Sequence, residues 1–135
     1  MIQDDQNTTT SLDLNQIRQD IDSVDQQIQQ LINRRAKLAE AVAKAKFASE
    51  ENPMFYRPER EAQVLRNVME RNEGPLSDVT MARLFREIMS ACLALEAPQT
   101  IAFLGPAGTF TQAAALKHFG HSAVCAPQAT IDEVF

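Results

Sequence analysis

Apolar side chains recur along the first third of the chain at alternating steps of four and three residues. The positions are Ile17, Ile21, Val24, Ile28, Leu31, Leu38 and Val42. This spacing is typical of the contact stripe of a coiled coil. The stripe position between Leu31 and Leu38 is filled by Arg35. The pattern therefore predicts a long helix that carries a guanidinium group in its own contact face.

Local signals predict where three helices begin and end. Thr10 and Asp13 form a capping-box-like pair, so the first helix is expected to start near Thr10 or Ser11 and to run to about Ala48. The second is expected to open at Pro58, which suits the first helical position, and to stop at Gly74-Pro75. The third is expected to start near Ser77 or Asp78 and to continue to Pro98. Residues 1–9 are expected to be a disordered leader.

The pattern changes after residue 100. A short apolar run with a Gly-rich turn, TIAFLGPAGTF, is followed by a helical stretch, TQAAALKHFG, a β-like piece, SAVCAP, and the start of another helix, TIDEVF. This order is typical of the opening of an α/β domain. The predicted fold is therefore an all-α, three-helix domain over residues 10–97, followed by the first strand-helix-strand of an incomplete α/β domain over residues 100–135.

The length of the first helix calls for a partner. About 36 residues at 1.5 Å each give roughly 54 Å, whereas a 100-residue domain has a radius of gyration of about 13 Å. Periodic patterns much longer than 25 residues are typical of helices that pair with another helix. We therefore expect an intertwined helical homodimer.

Composition argues against several classes of partner. The 135 residues are 44% hydrophobic and carry a formal net charge of −5, so nucleic acid is not expected as the main partner. The sequence contains no run of about 18 apolar residues, so no transmembrane helix is predicted. The polar, acidic N-terminus is unlike a secretory signal. Cys92 and Cys125 lack the spacing of a metal site, so no metal is predicted and a reducing, cytoplasmic location is favoured.

Arg35 and Lys46 share a face of the predicted first helix. They are eleven residues apart in sequence, which leaves them roughly 20° apart around the axis and about 16 Å apart along it. Two long cationic side chains so placed can converge on a small anion. Arg18 lies about 25 Å from Arg35 and roughly 100° around the helix, so it can join the same site only from a partner subunit.

Two more polar groups occur on the later helices. Arg57, Arg60 and Glu61 open the second helix, where cations oppose the helix dipole. Cys92 and Glu96 are four residues apart on the third helix and are therefore neighbours on one face. Taken singly, each charge has an ordinary interpretation as a solvated or paired side chain, and Cys92 as core packing. These separate interpretations do not explain why all of these residues occur together at this spacing.

Three segments together resemble the all-helical chorismate mutases. They are IRQDIDSVDQQIQQLINRRAKLAEAVAKAK (17–46), YRPEREAQVL (56–65) and ARLFREIMSACLALE (82–96). The resemblance covers about residues 10–97. The tail IAFLGPAGTFTQAAALKHFG (101–120) is similar to the start of prephenate dehydratase, whose GPxGT[FY][ST] turn is matched at 105–111. The order of the two parts resembles the bifunctional chorismate mutase/prephenate dehydratases of phenylalanine biosynthesis.

The resemblance implies roles for the charged residues. Chorismate mutase converts chorismate to prephenate by a pericyclic shift that needs no nucleophile and no cofactor. Catalysis then comes from holding the reactive conformer and stabilising charge at the breaking ether bond. By the family pattern, Arg18 of one subunit and Arg35 of the other clamp the two carboxylates. Lys46 donates to the ether oxygen, and Arg60 and Glu61 match the second-helix RE, where Glu61 accepts from the substrate hydroxyl.

The sequence departs from the family pattern at three site positions. Arg57 stands roughly where an acidic contact to the hydroxyl is common. Cys92 stands where Ser is frequent, and a thiol is the poorer hydrogen-bond donor. Glu96 stands where many relatives have Gln, which donates to the ether oxygen. Because an ionised Glu cannot donate, Glu96 is expected to be protonated in the active form, with its pKa raised by burial.

The resemblance implies a second activity only for a longer protein. A full-length parent is expected to convert prephenate to phenylpyruvate as well, whereas residues 100–135 lack that active site. His118 and His121 are expected to be surface histidines without partners. Two other functions fit some of the same features: a helical dimer that serves as a scaffold, in which stripe charges can be exchanged for apolar residues, and a sensor that binds a small dicarboxylate without turnover.

Overall fold

The structure is a computed structural model that describes residues 3–97 and 100–135, with side chains from residue 13 onward. Its elements, in chain order, are α1 (Gln3–Ser49), α2 (Pro58–Glu70), α3 (Asp78–Glu96), β1 (Thr100–Leu104), α4 (Phe110–Phe119), β2 (Val124–Gln128) and α5 (Ile131–Val134). The predicted fold class is confirmed, because three helices precede a strand-helix-strand unit.

The first helix begins earlier than predicted. Residues 3–9, expected to be a disordered leader, belong to α1, which starts at Gln3 rather than at Thr10. The physical reason is that the segment contains neither Gly nor Pro to interrupt a helix. The predicted capping pair is Thr10 and Asp13, and the side chain of Thr10 lies outside those that the structure describes. At the other end α1 stops at Ser49, one residue past the predicted Ala48.

Backbone contacts divide the chain into two units, one ending at Arg35 and the other spanning Ala36–Phe135. The first unit is the N-terminal part of α1, whose apolar side chains are uncovered in the single chain. Their exposed fractions run from 37% at Ile32 to 62% at Leu31, and the others are Leu14, Ile17, Ile21, Val24 and Ile28. An uncovered apolar stripe of this length is unusual for an isolated subunit.

In the second unit α2 and α3 pack against each other. Pro58 opens α2 as predicted, and the Ser77 hydroxyl caps α3 by accepting from the Thr80 backbone N–H at 3.2 Å. The core between the helices contains Leu65, Val68, Ala82 and Cys92, and Val68 is only 2% exposed. The start of each helix therefore follows from the local signals that the sequence carries.

The second helix ends earlier than the predicted stop at Gly74-Pro75. It ends at Glu70, and the Arg71 backbone N–H closes the last turn on the Asn67 carbonyl. The Asn72 side-chain amide then donates to the Leu76 carbonyl and to the Asp78 carboxylate, both at 2.8 Å. These two hydrogen bonds hold the loop in a non-helical conformation before Gly74 is reached.

The segment after residue 100 forms a parallel strand pair with a helical crossover. β1 pairs with β2 in register from Thr100 opposite Val124 to Leu104 opposite Gln128, and α4 connects the two strands. Phe103 is 3% exposed and forms the centre of this unit. The Thr130 side chain and Glu133 form a capping box at the start of α5. Within the described residues, no helix has both the length and the apolar character needed to cross a membrane.

Candidate functional site

Arg18 and Arg35 both lie on α1 in the first unit. Arg18 is exposed, whereas Arg35 is half-buried. Each is flanked by members of the uncovered stripe: Ile17 and Ile21 near Arg18, and Leu31 near Arg35. Because Arg35 is half-buried, its guanidinium is partly withdrawn from water, which strengthens its interaction with a carboxylate that approaches it.

Lys46 is held at the end of α1 by the loop that follows it. Its ammonium group donates to the Met54 carbonyl at 2.9 Å and lies 5.0 Å from the centre of the Phe55 ring. Phe47 packs on the same ring with a centroid separation of 5.2 Å. Because an ammonium has three N–H groups, one bond to Met54 leaves two that can donate to a substrate oxygen.

The start of α2 presents three of the predicted residues. Arg57 is the N-cap in an extended conformation, and its side chain makes no capping hydrogen bond. Arg60 and Arg57 are exposed, and Glu61 is half-buried in the first turn, where its backbone N–H donates to the Arg57 carbonyl at 3.0 Å. A carboxylate in a first turn interacts favourably with the helix dipole.

Cys92 and Glu96 lie one turn apart near the end of α3. Cys92 is 4% exposed in the single chain, so its thiol packs in the core between α2 and α3. Glu96, the last residue of the helix, is half-buried. The ordinary interpretation of Cys92 as a core residue is therefore supported, and its predicted contact with substrate stays a prediction.

A small cavity adjoins the predicted residue Glu61. Its lining includes Tyr56, Arg86, Ser90 and Phe119, and no other predicted site residue contributes to it. The Nε of Arg86 is buried and has no hydrogen-bond partner in the part of the chain that the structure describes. Burial raises the pKa of the Tyr56 phenol, and the nearby Glu61 carboxylate raises it further. Tyr56 and Arg86 both lie in segments that carry the family resemblance, but sequence analysis assigned a role to neither of them.

A polar contact joins α3 to the turn after α4. The His121 ring Nδ1 lies 2.7 Å from a carboxylate oxygen of Glu87, and the His121 backbone N–H donates to the other oxygen at 3.2 Å. These bonds lower the pKa of the Glu87 carboxyl. The prediction that His121 lies at the surface is confirmed, since its side chain is 71% exposed. The prediction that it has no partner is wrong, because the fold brings residues 34 positions apart into contact.

Comparison with known proteins divides the chain between residues 97 and 101, where the three helices give way to the strand-helix-strand unit. The family model for chorismate mutase type II matches residues 17–97, and that for prephenate dehydratase matches residues 101–135. Three curated relatives are named bifunctional chorismate mutase/prephenate dehydratase. They come from Stutzerimonas stutzeri (60% identical over 90% of this chain), Pseudomonas aeruginosa (56% over 90%) and Aquifex aeolicus (39% over 91%). The matches cover 34% of each relative, so the chain spans about a third of their length.

Proposed function

Because the chain belongs to the chorismate mutase type II family and carries the start of a prephenate dehydratase domain, we propose that residues 10–97 convert chorismate to prephenate. The observation that carries the proposal is the family match over residues 17–97, which includes every predicted site residue. The direct test is the loss of chorismate absorbance in the presence of the purified chain. A folded protein that binds chorismate without turnover would favour the sensor, and one that does neither would favour the scaffold.

The proposed mechanism uses positioning and charge, and it assigns no covalent step to the protein. Arg35 and the partner subunit's Arg18 hold the two substrate carboxylates, which fixes the compact conformer in which the new bond can form. Lys46 donates to the ether oxygen, on which negative charge develops as the bond breaks. Arg60 and Glu61 hold the remaining polar groups of the substrate.

We propose a homodimer in which the stripe of α1 is the contact face. Support comes from the exposed fractions of about one half at Ile17, Ile21, Val24 and Ile28, since such a row is covered in most stable proteins. An intertwined dimer also brings an Arg18 to each Arg35 across the interface. A cytoplasmic location is part of the proposal and is supported by the free thiols of Cys92 and Cys125.

Replacing Ile21 with Asp is expected to convert the dimer to monomers. The substitution places a charge inside the proposed apolar interface, where desolvation is costly and no partner is supplied. Ser23→Asp is the matched control, because it adds the same charge about 200° around the helix from Ile21. Sedimentation equilibrium gives the mass of each variant. If Ile21→Asp stays dimeric at the concentrations where the parent is dimeric, the stripe is not the interface.

Glu96→Gln is expected to flatten the dependence of mutase activity on pH. In the parent, the rate should fall as pH rises through the range where Glu96 loses its proton, because the carboxylate can no longer donate to the ether oxygen. Gln donates at every pH. The measurement is kcat/KM against pH for both proteins, with Glu59→Gln as the control on an exposed helix start. An identical profile for parent and Glu96→Gln would exclude this role.

For a full-length protein, we propose that a complete dehydratase domain consumes the prephenate that the first domain forms. The support is the match of residues 101–135 to prephenate dehydratase together with the two activities in the relatives' names. Residues 100–135 form one strand-helix-strand unit followed by the short helix α5. No dehydratase activity is therefore proposed for these residues by themselves.

A further inference from the structure

The turn after α4 fits against α3 at a contact that only glycine can make. Gly120 has φ +82°, and a Cβ added there would lie 2.3 Å from the Cβ of Ser90 and 2.5 Å from its hydroxyl oxygen. Real atoms do not approach so closely, and the positive φ is itself strained for other residues. Ser90 is only 8% exposed, so it cannot easily move aside. The backbone of the second domain therefore seats directly on the surface of the mutase helix.

Two contacts flank this glycine. On one side, the Phe119 ring packs on the Tyr56 ring with a centroid separation of 5.7 Å and an angle of 59° between their planes. On the other side, His121 binds Glu87. Both partners of the second contact are well exposed, so it contributes little stability.

Tyr56 directly precedes Arg57, the N-cap residue of α2. The N-cap residue Arg57 makes no side-chain capping bond, so the helix start lacks the usual local fixation. In many helices an apolar side chain before the N-cap packs on the fourth helical residue and fixes the direction in which the chain enters. Here that fourth residue is Glu61, and Tyr56 packs on Phe119 instead.

We propose that Phe119 is a positioning residue for the mutase site: by packing on Tyr56 it holds the start of α2, and with it Arg60 and Glu61, in the orientation that binds the substrate hydroxyl. The docking surface consists of Phe119, Gly120 and His121 on the second domain and of Tyr56, Glu87 and Ser90 on the first. The catalytic part of the inference rests on the proposed function. The contact itself does not.

Tyr56 reports on this contact without any assay of activity. It is the one tyrosine of the chain, which has no tryptophan, so phenolate absorbance in an alkaline titration belongs to this residue alone. Burial and then Glu61 raise its pKa. Removing the Phe119 ring uncovers the phenol, so the pKa of Tyr56 should fall towards its ordinary value.

The test compares three variants of the 135-residue chain. Phe119→Ala removes the contact, Phe119→Leu keeps an apolar side chain, and Phe110→Ala removes a ring from the same helix that is 95% exposed. Phe119→Ala is expected to lower the pKa of Tyr56 and to raise KM for chorismate roughly three- to tenfold with a smaller change in kcat, the effect of losing about one aromatic pair. Phe119→Leu should restore most of the affinity, and Phe110→Ala should change neither value.

The two readouts separate the possible failures. An unchanged Tyr56 titration in Phe119→Ala would show that the contact is absent and would overturn the inference. A changed titration with unchanged KM would show that the contact does not position α2, which also overturns it. If the parent chain has no mutase activity, the proposed function fails, and the titration alone still decides whether the domains dock. A fourth variant, Gly120→Ala, forces overlap with Ser90 and should reproduce the titration of Phe119→Ala.

Discussion

Arg35→Leu is expected to reduce the proposed mutase activity by roughly two to three orders of magnitude without dissociating the proposed dimer. The guanidinium is assigned to one substrate carboxylate, and removing one preorganised hydrogen-bond donor from an active site typically lowers kcat by about 10²–10³. Leu fits the spacing of the apolar stripe, so the substitution should leave the dimer as stable as before or make it more stable. Steady-state turnover of chorismate and sedimentation equilibrium measure the two effects.

Arg34→Leu is the matched control for this prediction. Arg34 is the adjacent residue, carries the same side chain, and is exposed about 100° around the helix from Arg35. It should retain near-normal turnover. Equal losses in the two variants would point to a general effect of charge, and full activity in Arg35→Leu would place the substrate elsewhere or favour the scaffold.

The helices could be predicted because their signals are local. Pro58 and Ser77 mark helix starts through backbone geometry and capping, and both lie where the structure has them. The end of α2 was predicted four residues too late. Gly74 and Pro75 are the stronger signals in sequence, but the Asn72 amide binds Leu76 and Asp78 and ends the helical path earlier. These hydrogen bonds depend on the conformation of the loop, which the pattern of residue types in the sequence does not specify.

The candidate site was predicted by a different route. Helical spacing placed Arg35 and Lys46 on one face, and the family resemblance assigned roles to them and to Arg60 and Glu61. Neither source predicted the contact between Tyr56 and Phe119. These residues are 63 positions apart and meet only because α4 packs on α3. In the sequence, Gly120 is only the last residue of the predicted helical stretch TQAAALKHFG. Its tight approach to Ser90 becomes visible only when the two segments are placed together.

The proposed role of Arg18 depends more on the proposed dimer than that of any other site residue, because Arg18 lies far from Arg35 on the same helix. It is exposed on α1, in the unit that ends at Arg35, and helical geometry separates it from Arg35 by roughly 25 Å. No single small substrate spans that distance within one chain. If both arginines bind one substrate, each site must draw one of them from each subunit. This conclusion can be tested with dimers that contain two different subunits.

Mixing Arg18→Ala subunits with Arg35→Leu subunits is expected to restore activity that neither variant has alone. In a mixed dimer, the Arg18→Ala subunit supplies Arg35 and its partner supplies Arg18, so one of the two sites is complete. Random pairing makes about half of the dimers mixed, so about a quarter of the parental activity should return after the variants are unfolded and refolded together. If both arginines acted within one subunit, no mixed dimer would contain a complete site and nothing would return.

A second mixture makes the distinction independent of refolding yield. When the double variant Arg18→Ala/Arg35→Leu is combined with an equal amount of the parent, a shared site leaves activity only in dimers of two parental subunits, about a quarter of the total. A site within one subunit would instead leave about half, because each parental subunit stays active whatever its partner. A shared site thus predicts about a quarter of the parental activity in both mixtures, whereas a site within one subunit predicts none in the first mixture and about half in the second. Arg18 is excluded from the shared site if the second mixture retains half.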